Sequence, residues 1–271
     1  MTTRLAINGA SGRMGRELIV ASQARDDLVL VAAFGAPGSD QLGVDAGRIA
    51  GTDELGVALV SSETMADTAF DVLVDFSLPG PSMAALAVCR AQGAAMVIGT
   101  TGYDEAQQAE IDAGADEIAI VQAPNYSAGV NLTLDLVGRA AAALGDDVDI
   151  EIIEAHHRHK VDAPSGTALK LGDVAAHARG QNLAESAVYA REGQTGPRPD
   201  AAIGFATVRA GEIVGEHTVL FAGAGERLEI THRATSRQTF AGGAMRAAVW
   251  AADQGAGHYG MNDVLGLTDA R

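Results

Sequence analysis

Cysteine is nearly absent: Cys89 is the only one in 271 residues. No internal disulfide can form, and the expected compartment is a reducing cytoplasm. Aromatic residues are also scarce, at 4%. Basic residues are outnumbered, 19 Lys+Arg against 35 Asp+Glu, for a formal net charge of -16. A chain so acidic lacks the basic face that nucleic acid requires. No run approaches the roughly 18 apolar residues of a membrane span, so no membrane partner is expected. The N-terminal MTTRLAINGASGRMG is no signal peptide, because its apolar run is short and leads into glycine.

What the chain has is glycine (33 residues), alanine, and a hydrophobic fraction of 47%. This suits helices packed tightly on a parallel sheet, in one large or two modest domains. Against the acidic background stands one cationic run: His156, His157, Arg158, His159 and Lys160. Five potentially cationic side chains in five positions point to an anionic small-molecule ligand. Shortly after, Thr167 opens a predicted helix, so Ser165, Gly166 and Thr167 offer hydroxyls and free N–H groups to an anion. A ligand with two carboxylates fits such a loop. A solvated basic surface is the plain alternative. A metal site is another, although adjacent histidines on extended chain point to opposite sides.

Strand and helix patterns alternate along the first 125 residues, the mark of a parallel α/β sheet. Arg4–Asn8 reads as a buried strand. Gly9, Ala10, Ser11, Gly12, Arg13, Met14 and Gly15 form a glycine turn, and a helix runs on to about Gln23. Strand, glycine turn and helix in that order predict a dinucleotide site of Rossmann type. The spacing is G-x-x-G-x-x-G. A second strand, Leu28–Phe34, ends in Phe34-Gly35-Ala36-Pro37, without the carboxylate that selects NADH or the base that selects NADPH. The cofactor is therefore NADH or NADPH, with Arg13 a candidate for a 2′-phosphate. Later strands are Val57–Val60, Phe70–Phe76, Ala95–Ile98 and Glu117–Gln122. Helices are Pro81–Gln92 and Asp104–Ala115. Cys89 falls in a helical pattern and reads as core. The segments Gly99-Thr100-Thr101 and Ala123-Pro124-Asn125-Tyr126 sit at strand carboxyl ends, where ligands of such sheets bind.

After Pro124 the pattern changes. Ser127–Leu144 is a long helix and Val148–Glu154 a strand that runs into the histidines. The helix Thr167–Arg179 follows. Then Ile203–Arg209, Val214–Phe221 and Arg227–His232 come with no helix between them, as in a mixed or antiparallel sheet. Thr235–Trp250 is helical again, and short helical fragments follow to Arg271. His177 and His258 read as surface residues.

The run E-x-H-H-R-x-K-x-D-x-P-S-G-T-A, carried by Glu154, His156, His157, Arg158, Lys160, Asp162, Pro164, Ser165, Gly166, Thr167 and Ala168, resembles the signature of the 4-hydroxy-tetrahydrodipicolinate (dihydrodipicolinate) reductases. Similarity extends from Gly9 to beyond Thr239. The resemblance implies a Rossmann-type parallel-sheet domain, 1–126 with 236–271 returning to it. It further implies an α+β substrate-binding and oligomerisation domain, 127–235, with a mixed open sheet that builds a homotetramer. It implies His156 as proton donor and Lys160 as second donor or polarising group. His157, Lys160, Ser165, Gly166 and Thr167 would bind a small dicarboxylate. The glycine turn, Gly99–Thr101 and Ala123–Tyr126 would line the cofactor. No metal is implied. Phe205–Gly211 and Gly215–Thr218 also resemble family segments and read as plain sheet structure.

The expected reaction is NAD(P)H-dependent reduction of a cyclic dicarboxylate in lysine and diaminopimelate biosynthesis. A dehydrogenase for another dicarboxylate, or a dinucleotide-binding sensor without turnover, are the competing readings.

Overall fold

The computed structural model describes residues 2–267. The chain divides into two compact units, Met1–Ala128 with Gln238–Arg271, and Gly129–Arg237. Residues 268–271 of the returning segment lie outside the described residues.

The first unit is a seven-stranded sheet with every strand pair parallel. Its strands are β1 (Thr3–Asn8), β2 (Leu28–Gly35), β3 (Leu59–Ser61), β4 (Val72–Asp75), β5 (Ala95–Ile98), β6 (Ala119–Gln122) and, far along the chain, β12 (Gly257–Tyr259). Their spatial order is β12-β6-β5-β4-β1-β2-β3. The chain reverses direction across the sheet between β1 and β4, so the loops leaving those two strands diverge and open a crevice at their carboxyl ends. Strands β4 and β5 are buried on both faces, which explains their continuous apolar sequences.

Helices α1 (Arg13–Gln23), α2 (Ala46–Ala50), α3 (Pro79–Gln92) and α4 (Glu105–Gly114) connect the strands. Pro79, not Pro81, is the first residue of α3, where a missing N–H costs nothing. Asp104 caps α4 through a capping box with Gln107. Cys89 is fully buried on α3. One face of the sheet packs against α1 and the returning helices, and the other against α3 and α4.

The returning helices are α8 (Gln238–Ala252) and α9 (Met261–Leu265). The tail is thus not only helical: β12 adds a parallel edge strand beside β6, too short to show a period. His258, on that strand, sits between Asp112 (3.1 Å) and Gln122 (3.0 Å). Six residues of α8 with small or flexible side chains, Ala241, Ala244, Met245, Ala247, Ala248 and Ala251, are fully buried. Gly243 lets this helix touch the backbone before α5, since a Cβ there would lie 1.7 Å from the carbonyl oxygen of Tyr126.

The second unit holds α5 (Ala128–Leu144, beginning at the boundary), β7 (Asp149–His156), α6 (Gly166–Ala178), α7 (Leu183–Ser186), β8 (Ala187–Val188), β9 (Ile203–Arg209), β10 (Gly215–Ala222) and β11 (Arg227–Ala234). The sheet order is β11-β10-β7-β9-β8, antiparallel across β10 and parallel through β7, β9 and β8. Helices α5 and α6 cover one face through Val137, Ala141, Leu171 and Ala175. Strand β7 alternates strictly: Ile150, Ile152, Glu154 and His156 are buried, and the residues between them are not. Alternation therefore sends a carboxylate and an imidazole into the helix-covered face beside two isoleucines. The strand extends two residues past its predicted end.

Replacing Gly243 with Ala should destabilise the protein by about 1–3 kcal/mol, the usual cost of overpacking. Urea unfolding of the full chain measures it; an unchanged midpoint would show that α8 does not approach Tyr126 this closely.

Candidate active site

The carboxyl ends of the first sheet are tied together by one buried carboxyl group. Asp75, fully buried at the end of β4, accepts from Asn8 Nδ2 (2.7 Å), Ser77 Oγ (2.6 Å) and Thr100 Oγ1 (2.6 Å). Thr100 Oγ1 in turn accepts the N–H of Ser77 at 2.9 Å. The loops after β1, β4 and β5 are thereby fixed to one another.

Gly9 adopts a φ of +74°, and a Cβ there would come 2.5 Å from the carbonyl oxygen of Phe76. Gly15 lies under the turn, where a Cβ would meet the Gly9 oxygen at 2.2 Å. Gly12 caps α1 with no side chain bonding back. The first N–H groups of α1, at Arg13, Met14 and Gly15, precede the intrahelical ladder. This is the donor set and the positive helix end that a diphosphate needs, so the loop fits a dinucleotide. Arg13 is exposed at the helix start. Beyond β2 the sequence Gly35-Ala36-Pro37 brings no acid and no base.

The remaining expected cofactor residues divide into two kinds. Ala10, Thr100, Ala123 and Tyr126 are buried. Tyr126 places its hydroxyl within hydrogen-bond distance of the Ile98 (2.8 Å) and Val121 (2.9 Å) carbonyls, and its ring packs on Phe76. The side chains of Thr100 and Tyr126 therefore brace the loops. Ser11, Met14, Gly99 and Asn125 are half-buried, while Gly12, Arg13, Thr101 and Pro124 are exposed. Asn125 Oδ1 also accepts the N–H of Ser127 at 2.9 Å.

In the second unit the cationic run does not act as one cluster. His156 is buried, and its Nδ1 lies 2.6 Å from Glu154 Oε2. Arg158 and His159 are exposed. Lys160 pairs with Asp162 at 2.8 Å. His157 is half-buried and its Nδ1 is shielded without a protein partner. The end of β7 at His156 and the turn that follows separate what the linear sequence juxtaposes, and burial keeps His156 from adding a permanent charge. Its pKa is lowered, first by burial; Glu154 offsets that, while Lys160 and Arg209 push the same way as burial.

Glu154 is the centre of the site. It is 1% exposed. Arg209 grips both its oxygens, at 2.8 and 2.7 Å. The N–H of Ser165 donates to Oε1 at 3.0 Å, and Thr207 Oγ1 stands 3.3 Å away. Burial alone would raise this carboxyl pKa; Arg209, His156 and the Ser165 N–H outweigh it and bring it to about 2. Sheet register makes the arrangement: His217 and Thr207 flank Glu154 on the neighbouring strands, and Arg209 flanks His156. Arg209 also donates to the Asp162 carbonyl at 2.7 Å, which ties down the loop that contains the cis Ala163–Pro164 peptide.

Helix α6 starts at Gly166, one residue earlier than expected, and Ser165 is its cap. Ser165 Oγ accepts from Ala168 N at 3.2 Å and lies 3.0 Å from His217 Nε2. Gly166 is exposed and Thr167 half-buried, with the N–H groups of both in the uncommitted first turn. His217 is buried, with its Nδ1 unpartnered, and its ring meets that of His156 edge-on at 5.1 Å. Burial, with His156 nearby, depresses its pKa to about 4.

Arg209 and His217 lie on strands, as their segments read in the sequence, and their side chains also reach Glu154 and Ser165. The signal was present: G-x-H on β10 and E-x-H on β7 both alternate onto the face they share. Among the described residues no group of three or more His, Cys, Asp or Glu side chains is placed to hold a metal ion. Nor is any described helix long and apolar enough to cross a membrane.

Sheet order and glycine turn define a protein of the Rossmann class, with a mixed-sheet second unit bearing a histidine–carboxylate site. Residues 3–126 match the family model for the N-terminus of dihydrodipicolinate reductase, and residues 129–265 that for its C-terminus. The chain belongs to the dihydrodipicolinate reductase family. It is 61% identical to 4-hydroxy-tetrahydrodipicolinate reductase of Alkalilimnicola ehrlichii, over 98% of this chain and 100% of that one. It is 55% identical to the protein of the same name from Chromohalobacter salexigens, over 98% and 99%. Among solved structures, the dipicolinate-bound dihydrodipicolinate reductase from Paenisporosarcina sp. TG-14 matches with a TM-score of 0.79 and 25% identity, covering 98% of this chain and all of that one.

His217 gives the fold a pH dependence of definite sign. Its pKa falls from 6.5 to about 4 on folding, so its contribution is complete above 6.5 and lost as pH falls through 4. That contribution is up to about 3 kcal/mol. Stability by urea unfolding should drop between those pH values, and His217→Gln should make the drop shallower. An identical slope in the variant would contradict a buried neutral imidazole.

Proposed function

We propose that this chain is a 4-hydroxy-tetrahydrodipicolinate reductase. It reduces (2S,4S)-4-hydroxy-2,3,4,5-tetrahydrodipicolinate to tetrahydrodipicolinate with loss of water, using NADH or NADPH, in lysine and diaminopimelate biosynthesis. The observation that carries the reading is the loop of residues 156–167. It joins a buried imidazole with a fixed inner nitrogen, a lysine, and a capped helix start with open N–H groups. The named activity of relatives that match nearly end to end supports it, as does the dipicolinate held by a protein of the same fold.

The glycine turn and the start of α1 would hold the diphosphate, with Gly9, Ala10, Ser11, Gly12, Arg13 and Met14 contributing mainly backbone. Gly99–Thr101 and Ala123–Tyr126 would shape the floor around the reacting ring. The bound nicotinamide supplies the hydride. His156 supplies the proton from Nε2 when the ring is protonated, since Nδ1 is committed to Glu154; imidazole is the commonest general acid. Lys160 neutralises one carboxylate, exchanging it for Asp162. The N–H groups of Gly166 and Thr167, with Ser165 and His157, take the other. Assembly as a homotetramer through the uncovered face of the mixed sheet agrees with the exposure of Ile153 (42%) and Val208 (45%) there. Function in the cytoplasm follows from such a pathway.

Purified protein given the substrate and NADH or NADPH should show absorbance decay at 340 nm; no decay with either nucleotide would refute the reading. His156→Gln should lower kcat by about 100-fold or more and leave KM nearly unchanged. Lys160→Ala should raise KM for the substrate and leave nucleotide affinity, read by fluorescence titration, intact. Parallel loss of nucleotide binding would remove Lys160 from the substrate site.

A further inference from the structure

We propose that Glu154 and Arg209 act as a pair of positioning residues: Glu154 fixes the His156 ring through Nδ1, and Arg209 cancels the carboxylate charge so that the ring still exchanges a proton at Nε2. This rests on the reading of His156 as the proton donor and deepens it.

The geometry assigns the tautomer. An ionised carboxylate only accepts, so the 2.6 Å contact requires a proton on Nδ1. Nε2 then carries the exchangeable position. It faces Gly215, where a Cβ would stand only 3.1 Å away. A side chain there would crowd the reacting nitrogen.

Charge is the second half of the argument. A lone buried carboxylate at this distance would hold the ring as imidazolium and resist proton release. Arg209 prevents this by taking both oxygens in a bidentate grip, the geometry guanidinium forms best. The charged and titratable groups acting on the ring are Glu154 on its own strand, Arg209 from β9, His217 from β10 and Lys160 from the loop. Burial holds His217 neutral around neutral pH. Among the described residues, the Glu154–Arg209 pair and Lys160 therefore set the field at the ring. Glu154 takes no proton during turnover; the proton that leaves Nε2 is replaced from solvent.

The test reads His156 by histidine-labelled nitrogen NMR on the full chain, assigned by difference with His156→Gln, beside the pH profile of kcat. Removing the positive partner in Arg209→Gln should raise the His156 pKa by about one unit, and removing the negative one in Glu154→Gln should lower it by about one. Glu154→Gln should also lose the fixed Nδ1–H tautomer and lower kcat by about 100-fold, with KM for nucleotide unchanged. If either single variant fails to fold, the double variant Glu154→Gln/Arg209→Gln decides, because it keeps the charge balance. It should keep the His156 pKa near that of the parent protein yet lose the fixed tautomer.

Shifts of the same sign in both single variants, or an unchanged tautomer and kcat in Glu154→Gln or the double variant, overturn the proposal. Opposite shifts without turnover of the dicarboxylate would leave the pairing standing and refute the assigned reaction. Turnover without opposite shifts would refute the pairing alone.

Discussion

The second unit depends on one buried carboxylate. Moving an ionised group out of water costs several kcal/mol unless it is fully paired. Glu154 meets that condition with a guanidinium, an imidazole, a backbone N–H and a hydroxyl. These partners come from β7 itself, from β9, and from the start of α6. A single acid therefore joins two strands to the helix whose first turn is the proposed anion cradle. Truncating it would leave Arg209 without its carboxylate partner, and would free the N–H of Ser165.

The first unit solves a related problem in the same way. Asp75 gathers Asn8, Ser77 and Thr100, so three loops at the strand ends share one anchor. In both units the loops proposed to face a ligand are held from behind by a carboxyl group at or near a strand's carboxyl end. This explains why several residues expected to touch a cofactor are buried. Thr100 and Tyr126 shape the loops from within, and the exposed backbone beside them remains for a ligand. Loops held by many short hydrogen bonds lose little entropy when they bind.

The architecture was largely legible in the sequence. Alternation of apolar runs with helical periods marks the parallel sheet, and the unbroken series of strands after residue 203 marks the mixed one. Three features escaped for physical reasons. Strand β12 is three residues long and has no period to detect; it forms because β6 offers it an edge. The cationic run misled in another way. Five adjacent basic residues look like one patch in a linear sequence, yet β7 ends at His156 and the other four lie on the turn that follows. His156 turns inward to Glu154, and Arg158 and His159 face solvent. Arg209 and His217 read only as sheet residues in the sequence because their partners are 55 and 52 positions away. Only the register of β7 with β9 and β10 brings them together.

That register also limits which substitutions the site tolerates. Position 215 faces the outer nitrogen of His156, and position 217 bonds to the helix cap at Ser165. A slip of one residue between β7 and β10 would send His217 to the open face and put Glu216 beside the ring. A second carboxylate there would hold the imidazole charged, and Ser165 would lose its partner. The apolar residues Val219 and Phe221, fully or almost fully buried further along β10, oppose that slip, because it would carry both into water. The hydrophobic core thus sets the protonation chemistry at the end of the strand. Packing of α6 on the sheet and the charge state of His156 are two consequences of one alignment.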